Sequence, residues 1–219
     1  MSHFIIRAAT VSDVSFLAKA IIEAEKSGTD KLSYSTIFNL SEDDVCKYLI
    51  DILKQEVDGC ELSVSSFIVA EFDGKVVAAL SAWVEGLDGI PSTILKGNLL
   101  SFTLPKESLT RAMILNEMIR ELHVEYVPKT IQIGACYVKK EFRGNRLLGM
   151  LNKQIITRLL KENPGVNSVW VQIFSCNTPS LKAFEEAGFT VVTTRVSTKT
   201  EIENYLPSNK KYILIKNFK

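Results

Sequence analysis

Residues 131–149 read IQIGACYVKKEFRGNRLLG, and this stretch decides the fold. Residues 131–138 alternate as a β-strand does, which predicts that odd-numbered side chains share one face and even-numbered ones the other. A basic turn follows, and after it leucine and isoleucine recur at helical spacing until Pro164-Gly165. The stretch predicts a strand–turn–helix unit. Either it binds an anion at the unpaired N–H groups of the helix start, or it is an ordinary structural unit with solvated basic side chains.

A second segment, 176–189, reads CNTPSLKAFEEAGF. Together the two segments resemble the GNAT superfamily of acetyl-CoA-dependent N-acetyltransferases. In that family a strand leads into an Arg/Gln-x-x-Gly-x-Gly/Ala pyrophosphate loop and a helix. A further strand ends in Asn before a short helix that closes on Gly-Phe. Residues 138–144 and 177–189 match in order and spacing, so the resemblance covers the region from about 130 to 195.

The pyrophosphate loop departs from the family pattern at two positions. With Arg143 aligned to the first motif position, Arg146 stands where the family usually has Gly. Leu148 stands where it usually has Gly or Ala, and Gly149 follows one residue late. Small residues there let the backbone approach the pyrophosphate closely. We therefore expect the Arg146 side chain either to point away from the cofactor or to add a charged hydrogen bond to a phosphate.

The resemblance implies a set of contacts for acetyl-CoA, the expected cosubstrate, and no metal. In the family the backbone of the strand binds the pantetheine arm, which falls here on Cys136, Tyr137 and Val138. The pyrophosphate falls on the backbone N–H groups of Arg143, Gly144, Asn145, Arg146, Leu147, Leu148 and Gly149. The other residues expected at the cofactor are Asn177, Lys182 and Phe184. Asn177 is also predicted to cap the helix that follows it.

Acetyl transfer to an amine requires removal of a proton, because a lysine-type amine has a pKa of about 10.4 in water. The strand position that carries a glutamate base in some family members is Gln132 here, whose amide can orient a water but cannot take a proton. Phe184 occupies the position at which many members carry a tyrosine acid, and it has no hydroxyl. The other acid–base candidates are Glu85, Glu125, Tyr126 and His123, although residues of these types are more often solvated surface residues than bases.

Composition excludes several classes of protein. The formal net charge is +1, which gives no general attraction to nucleic acid or to a membrane, so neither is an expected partner. Four cysteines without a Cys-x-x-Cys pair, and two histidines, argue against a disulfide framework or a zinc site and suit a reducing cytoplasm, the expected location. The sequence has no run of eighteen apolar residues, so it predicts neither a membrane span nor a signal peptide.

The rest of the chain predicts one α/β domain over residues 1–219. The expected architecture is a mixed, mostly antiparallel twisted sheet flanked by helices, which the resemblance also implies. Residues 85–128 differ in character, because glycine and proline punctuate them and only 109–122 shows good helical spacing. We expect this segment to be a helical insertion between the third and fourth strands. It is either a lid or wall for the substrate or a packing helix without ligand contact.

Local signals fix several element boundaries. Thr10 with Asp13, and Ser41 with Asp44, have the spacing of capping boxes and predict the starts of two N-terminal helices. Asp73-Gly74 supplies the positive φ angles of a two-residue turn, which predicts a tight hairpin between the second and third strands.

The leading functional hypothesis is an N-acetyltransferase that moves an acetyl group from acetyl-CoA to a primary amine of a small molecule or peptide, by direct attack in a ternary complex. The alternative is a non-catalytic acyl-CoA-binding or sensor module of the same fold. The expected oligomeric state is a monomer or a homodimer. A P-loop or dinucleotide fold is disfavoured, because neither of their glycine-rich motifs occurs.

Overall fold

A seven-stranded mixed sheet organises the computed structural model, which describes residues 4–218. The strands are β1 (Ile5–Ala8), β2 (Phe67–Phe72), β3 (Lys75–Val84), β4 (Ile131–Val138), β5 (Ser168–Phe174), β6 (Thr190–Val196) and β7 (Lys210–Asn217). Their order in the sheet is β1-β2-β3-β4-β5-β7-β6. Only β4 and β5 pair in parallel, and every other neighbouring pair is antiparallel. The predicted mixed, mostly antiparallel sheet is confirmed.

Helices cover both faces of this sheet. They are α1 (Val14–Glu25), α2 (Ser33–Phe38), α3 (Glu42–Leu53), α4 (Ser92–Thr103), α5 (Lys106–Ile119), α6 (Leu147–Glu162) and α7 (Thr178–Glu186). One buried core lies between the sheet and α6 with α7, and the other lies between the sheet and α1, α2, α3 and α4. Within residues 4–218, each helix falls short of the length and apolarity needed to cross a membrane.

The two predicted helix starts and the predicted hairpin turn are confirmed. Thr10 and Asp13 form the capping box ahead of α1, and the Ser41 side chain accepts a hydrogen bond of 3.1 Å from the Asp44 backbone at the start of α3. Asp73 and Gly74 have φ angles of 49° and 72°, as the tight turn between β2 and β3 requires.

The insertion contains two helices where one was predicted. Its good helical spacing corresponds to α5, but α4 precedes it and runs through Gly97. Pro91 and Pro105 lie immediately before α4 and α5, where the fixed φ of proline favours a helix start. The two prolines therefore mark helix starts, whereas Gly97 lies within a helix. The short α2 was also not predicted, because six residues carry too little periodicity.

The strict alternation predicted for 131–138 is wrong because β4 contains a bulge. Cys136 lies opposite Leu80 of β3 while Ile133 lies opposite Ala82, so that one β3 residue faces two residues of β4. Beyond the bulge the side-chain pattern shifts by one. Cys136 and Val138 consequently pack in the core of Ile131 and Ile133, and Ala135 and Tyr137 pack in the opposite core.

Candidate active site

The bulge in β4 is shaped by Ser81, Gly134 and Trp83. The Ser81 hydroxyl accepts a hydrogen bond of 2.8 Å from the Ala135 backbone N–H, which the disrupted ladder would otherwise leave unpaired. Gly134 leaves the space for this contact, because a Cβ at that position would lie 2.7 Å from Ser81 Oγ and 3.0 Å from a ring carbon of Trp83. The bulge therefore requires a glycine at residue 134.

The pairing between β4 and β5 ends next to the bulge, and we call the region between the two strands beyond Ile133 and Val171 the wedge. The two strands pair only over residues 131–133 and 169–171, whereas β3 continues beside β4 as far as Val138. Along 134–138 the edge of β4 that faces β5 has no strand partner in the described chain. Backbone groups on this edge are available to a ligand, and this edge includes the predicted pantetheine-binding residues.

The turn after β4 presents a row of free backbone donors. A short 3₁₀ turn uses the N–H groups of Phe142 and Arg143, and the first bond within α6 runs from the Met150 N–H to the Arg146 carbonyl. The six N–H groups from Gly144 to Gly149 have no acceptor within residues 4–218. We call residues 144–149 the cradle. It combines unpaired donors with the positive end of the α6 dipole, which suits an anion.

Arg146 adopts the left-handed conformation, with a φ of 58°, as the residue before α6. This conformation favours glycine, which explains why the family usually has glycine there. The Arg146 side chain is exposed and makes no hydrogen bond or ion pair with the described residues, so it is free to reach a bound phosphate. Arg143 is already engaged, since its Nε donates to the Val138 carbonyl at 3.2 Å.

The residues predicted from the second segment have clear structural roles. The Asn177 side chain accepts a hydrogen bond of 3.3 Å from the Ser180 backbone, which confirms the predicted helix cap of α7. Phe184 is 3% exposed and packs edge to face on Phe189, with ring centroids 5.2 Å apart. Lys182 is exposed and forms an ion pair with Glu186 across one helical turn. Phe184 is therefore a core residue.

The structure does not bring the predicted base candidates together. Gln132 is buried and its side-chain amide donates to Thr130 Oγ1 at 2.6 Å. Glu85 is also buried, and it accepts hydrogen bonds from Trp83 Nε1 and the Ser92 backbone, both at 3.0 Å, and from the Ser92 hydroxyl. This carboxylate fixes the start of α4. Glu125 is exposed in the loop before β4.

A cavity of about 530 Å³ opens beside the bulge. Its floor is the sheet surface formed by Ile133, Gly134 and Ala135 of β4 together with residues of β5 and β7. Its walls come from α1, α2 and both helices of the insertion. The expectation that the insertion forms a wall of a ligand site therefore agrees with where the structure places it.

The cavity contains an ion pair with two tyrosines beside it. Lys96 of α4 forms an ion pair with Glu61, and its ammonium lies 5.6 Å from the centre of the Tyr34 ring. The Tyr126 hydroxyl donates to Glu61 at 3.4 Å. Burial alone would lower the pKa of Lys96, but the charge of Glu61 outweighs it and raises that pKa well above its ordinary value. Burial and the same carboxylate raise the pKa of Tyr126.

Two further charged residues line the cavity, Glu25 at the end of α1 and Lys211 on β7. Burial raises the pKa of the Glu25 carboxyl and lowers the pKa of the Lys211 ammonium. Neither residue was predicted, and nor were Glu61 and Lys96. These four residues are far apart in the sequence and belong to no motif. The only signal was a lysine within a largely apolar stretch, at Lys96.

The free cysteines do not provide a nucleophile. Burial raises the pKa of Cys136 to about 12 and also raises the pKa values of Cys60 and Cys176. A thiol with so high a pKa is almost fully protonated near neutral pH. Within the described chain, no group of three or more His, Cys, Asp or Glu side chains is arranged to hold a metal ion.

Comparisons with known proteins point to one family. The model of the acetyltransferase (GNAT) family matches residues 37–189. None of the curated proteins compared matches the chain. A solved N-acetyltransferase from Staphylococcus aureus Mu50 is similar at a TM-score of 0.67 and 17% identity, over 97% of this chain and 100% of that one.

Two further solved structures share the fold. A ribosomal-protein-S18-alanine N-acetyltransferase from Escherichia coli has a TM-score of 0.52 at 12% identity, over 99% of this chain and 94% of that one. A ribosomal-protein-alanine N-acetyltransferase from Brucella melitensis has a TM-score of 0.56 at 15% identity, over 98% of this chain and 99% of that one. At such identities these likenesses show the fold alone. Because the family model spans well over half of the chain, the protein belongs to the GNAT acetyltransferase family.

Proposed function

We propose that the protein transfers the acetyl group of acetyl-CoA to a primary amine of a small molecule or peptide, by direct attack in a ternary complex. The GNAT family uses acetyl-CoA as its cosubstrate. The observation that carries the proposal is the cradle, six consecutive backbone N–H groups without a protein acceptor at the start of the 16-residue helix α6. Such donors suit a pyrophosphate, because they are fixed in place before it binds.

The strand β4 connects the three parts of the proposed site. Ala135 lines the cavity, residues 136–138 border the wedge, and the turn after Val138 leads into the cradle. In this proposal the cradle and Arg146 hold the pyrophosphate. Backbone groups of Cys136, Tyr137 and Val138 hold the pantetheine arm, and Asn177 and Lys182 flank the cofactor. Acetyl-CoA supplies the acetyl group as a thioester, which the wedge would direct towards the amine in the cavity.

The cavity is the observation that favours an enzyme over a non-catalytic acyl-CoA-binding module. A module that only senses acetyl-CoA needs the wedge and the cradle but no second chamber. Here a chamber of about 530 Å³ with half-buried carboxylate and ammonium groups lies next to the wedge. Charged groups that are partly removed from water are costly, and they are typical of sites that bind or react with polar ligands.

A matched pair of variants at Gly149 tests the cradle. Gly149 has an ordinary helical backbone, and a Cβ there meets no atom within 4 Å, so a side chain fits without strain. Aspartate in the first helical turn is favourable to the helix but repels a pyrophosphate. We expect Gly149→Asp to bind CoA at least tenfold more weakly than Gly149→Asn by calorimetry, while both variants unfold at or above the wild-type temperature.

Equal CoA affinity in the two Gly149 variants would rule out the cradle as the pyrophosphate site. Gly144 is a less suitable position, because its φ of 85° would strain any side chain. Release of free thiol from acetyl-CoA in the presence of a panel of amines then tests the transfer itself. Tight CoA binding without thiol release for any amine would support the non-catalytic module instead.

A further inference from the structure

Two of the four charged side chains in the cavity form an ion pair with each other, and the other two have no ion-pair partner among the described residues. Glu61 and Lys96 neutralise each other by direct contact. Glu25 and Lys211 have no ion-pair partner among the described residues, and their interactions with other charges act only at a distance. The four side chains sum to zero charge when all are ionised, so the cavity offers separate positive and negative positions rather than a net attraction.

Lys211 is a cation with little compensation from the protein. Its ammonium lies 3.4 Å from the Gln172 side-chain oxygen and 4.8 Å from the centre of the Phe174 ring. A neutral amide oxygen and an aromatic face stabilise an ammonium less than a carboxylate does. His123 at the same cavity has a lowered pKa, caused first by burial and then by the charge of Lys211. An anion bound at Lys211 would supply the missing charge.

Glu25 provides the complementary position. Its carboxylate lines the cavity and lies near the Ser33 hydroxyl, without a well-formed hydrogen bond between them. Nearby, the hydroxyls of Ser33 and Tyr34 also lack hydrogen-bond partners, although these residues are only 5% and 6% exposed and both line the cavity. Buried hydroxyls without partners are uncommon, because each costs free energy that a bound ligand can restore. The cavity therefore holds a carboxylate without an ion-pair partner and hydroxyls without hydrogen-bond partners, which a bound ammonium with its N–H donors would satisfy.

We infer that the acceptor is a small zwitterion, an amine that also carries a carboxylate, such as a free amino acid, with its ammonium at Glu25 and its carboxylate at Lys211. This inference rests on the proposed acetyl transfer. A diamine would leave Lys211 facing a second cation, and a dicarboxylate would leave Glu25 facing a second anion. A ligand with one charge of each sign satisfies both side chains.

The position of Lys211 fits a small acceptor. Lys211 lies directly opposite Phe174 in the β5–β7 ladder, on the β5 side of the wedge, while Ala135 lies on the β4 side. All three residues line the cavity. The carboxylate of a zwitterion bound at Lys211 can therefore lie close to the mouth of the wedge.

Glu25 has a chemical role in this arrangement. It accepts one proton from the ammonium, and the freed electron pair on nitrogen forms the C–N bond to the acetyl carbon. The C–S bond breaks with its electron pair on sulfur, and the second proton lost from nitrogen protonates this thiolate. The raised pKa of Glu25 suits a group that must take up a proton near neutral pH.

The test compares free amino acids with the same amino acids as carboxamides, which keep the amine and lose the negative charge. We expect the wild-type enzyme to prefer the free acids at least tenfold in kcat/KM. In Lys211→Met the KM for the acids should rise at least tenfold, while the carboxamides and the KM for acetyl-CoA are unaffected. Lys211→Arg should restore part of the preference. Lys210→Met, the neighbouring change on β7, is the matched control and should keep the wild-type preference.

Several results separate this inference from the proposed function. Equal or better turnover of the carboxamides, or an unchanged preference in a folded Lys211→Met, would overturn the zwitterion while leaving acetyl transfer intact. Loss of CoA binding in the wild type would overturn both. If CoA binds but no amine is acetylated, calorimetry measures whether the amino acids bind to the complex of the protein with CoA. Absence of amino-acid binding would then refute the inference. Removing a half-buried charge that has no ion-pair partner should not lower the unfolding temperature, which checks that Lys211→Met folds.

Discussion

At the scale of single residues, Arg146 is the clearest departure from what the backbone favours. A side chain held in the left-handed region costs on the order of 1 to 2 kcal/mol, and glycine recovers part of this while losing about 0.5 to 1 kcal/mol of backbone entropy. We expect Arg146→Gly to raise the free energy of unfolding by up to about 1 kcal/mol, measured by urea denaturation. Arg146→Ala keeps the Cβ and should bring no such gain.

The same two variants address the role of the guanidinium. Both remove it, so both should weaken CoA binding by a similar factor if Arg146 reaches a phosphate. A stabilised Arg146→Gly with unchanged CoA affinity would show that the side chain points away from the cofactor. No stabilisation relative to Arg146→Ala would mean that the left-handed conformation is not strained.

The cysteines give a second prediction at this scale. Cys176 is exposed, whereas Cys60 is buried and the pKa of Cys136 is raised to about 12. Alkylation requires an accessible thiolate. Iodoacetamide at pH 8 should therefore modify Cys176 well before Cys60 and Cys136 in the native protein, as followed by mass spectrometry of peptides. In urea-denatured protein the rates should become similar. Rapid native modification of Cys136 would contradict its raised pKa and partial burial.

At the scale of elements, the start of α4 depends on Glu85. This buried carboxylate accepts three hydrogen bonds from Trp83 and Ser92, and in Glu85→Gln an amide group faces one of those donors. We expect the substitution to lower the free energy of unfolding by about 1 to 3 kcal/mol. A general base would instead lose 100-fold or more in kcat. We expect kcat to stay within several-fold of the wild type at a temperature where the variant is folded.

The exposed Glu125 supplies the control for this experiment, and Glu125→Gln should change neither stability nor kcat. A loss of 100-fold in kcat by Glu85→Gln with unchanged stability would assign Glu85 to catalysis.

Element prediction succeeded where the signal was local and failed where it was not. The cap at Ser41 and the turn at Asp73-Gly74 depend on neighbouring residues, and both lie where they were predicted. The bulge in β4 depends on Ser81, which is more than fifty residues away and holds the Ala135 N–H. The alternation of residues 131–138 gives no indication of that contact. The sheet faces predicted for the side chains beyond Ile133 were therefore wrong.

At the scale of the whole molecule, an ion cluster ties the first strand to the rest of the sheet and to α1. Arg7 of β1 bonds Asp13 at 2.7 Å and Glu71 of β2 at 3.1 Å. The Arg7 guanidinium lowers the pKa of the buried Asp13 carboxyl. A carboxyl whose native pKa is depressed stabilises the fold above its unfolded pKa of about 3.9, and this stabilisation is lost as pH falls through the lower native pKa.

We therefore expect Asp13→Asn to lower the free energy of unfolding at pH 7, with a difference from the wild type that shrinks as the pH is taken below about 4. Urea denaturation at several pH values measures this difference. Asp51→Asn, at an exposed position on α3, should show little difference at any pH. A constant difference for Asp13→Asn across the range would mean that the Asp13 charge is not what stabilises the native state.

The sequence by itself determined the elements that local chemistry encodes. These include the strand, turn and helix at 131–149, the capped helix after Asn177, and through them the family. The tertiary structure alone decided the cavity that we propose for the acceptor, because Glu25, Glu61, Lys96 and Lys211 come from four separate parts of the chain and line one cavity only in the folded protein. Backbone donors at a helix start follow from a contiguous stretch, whereas a site built from distant side chains depends on packing.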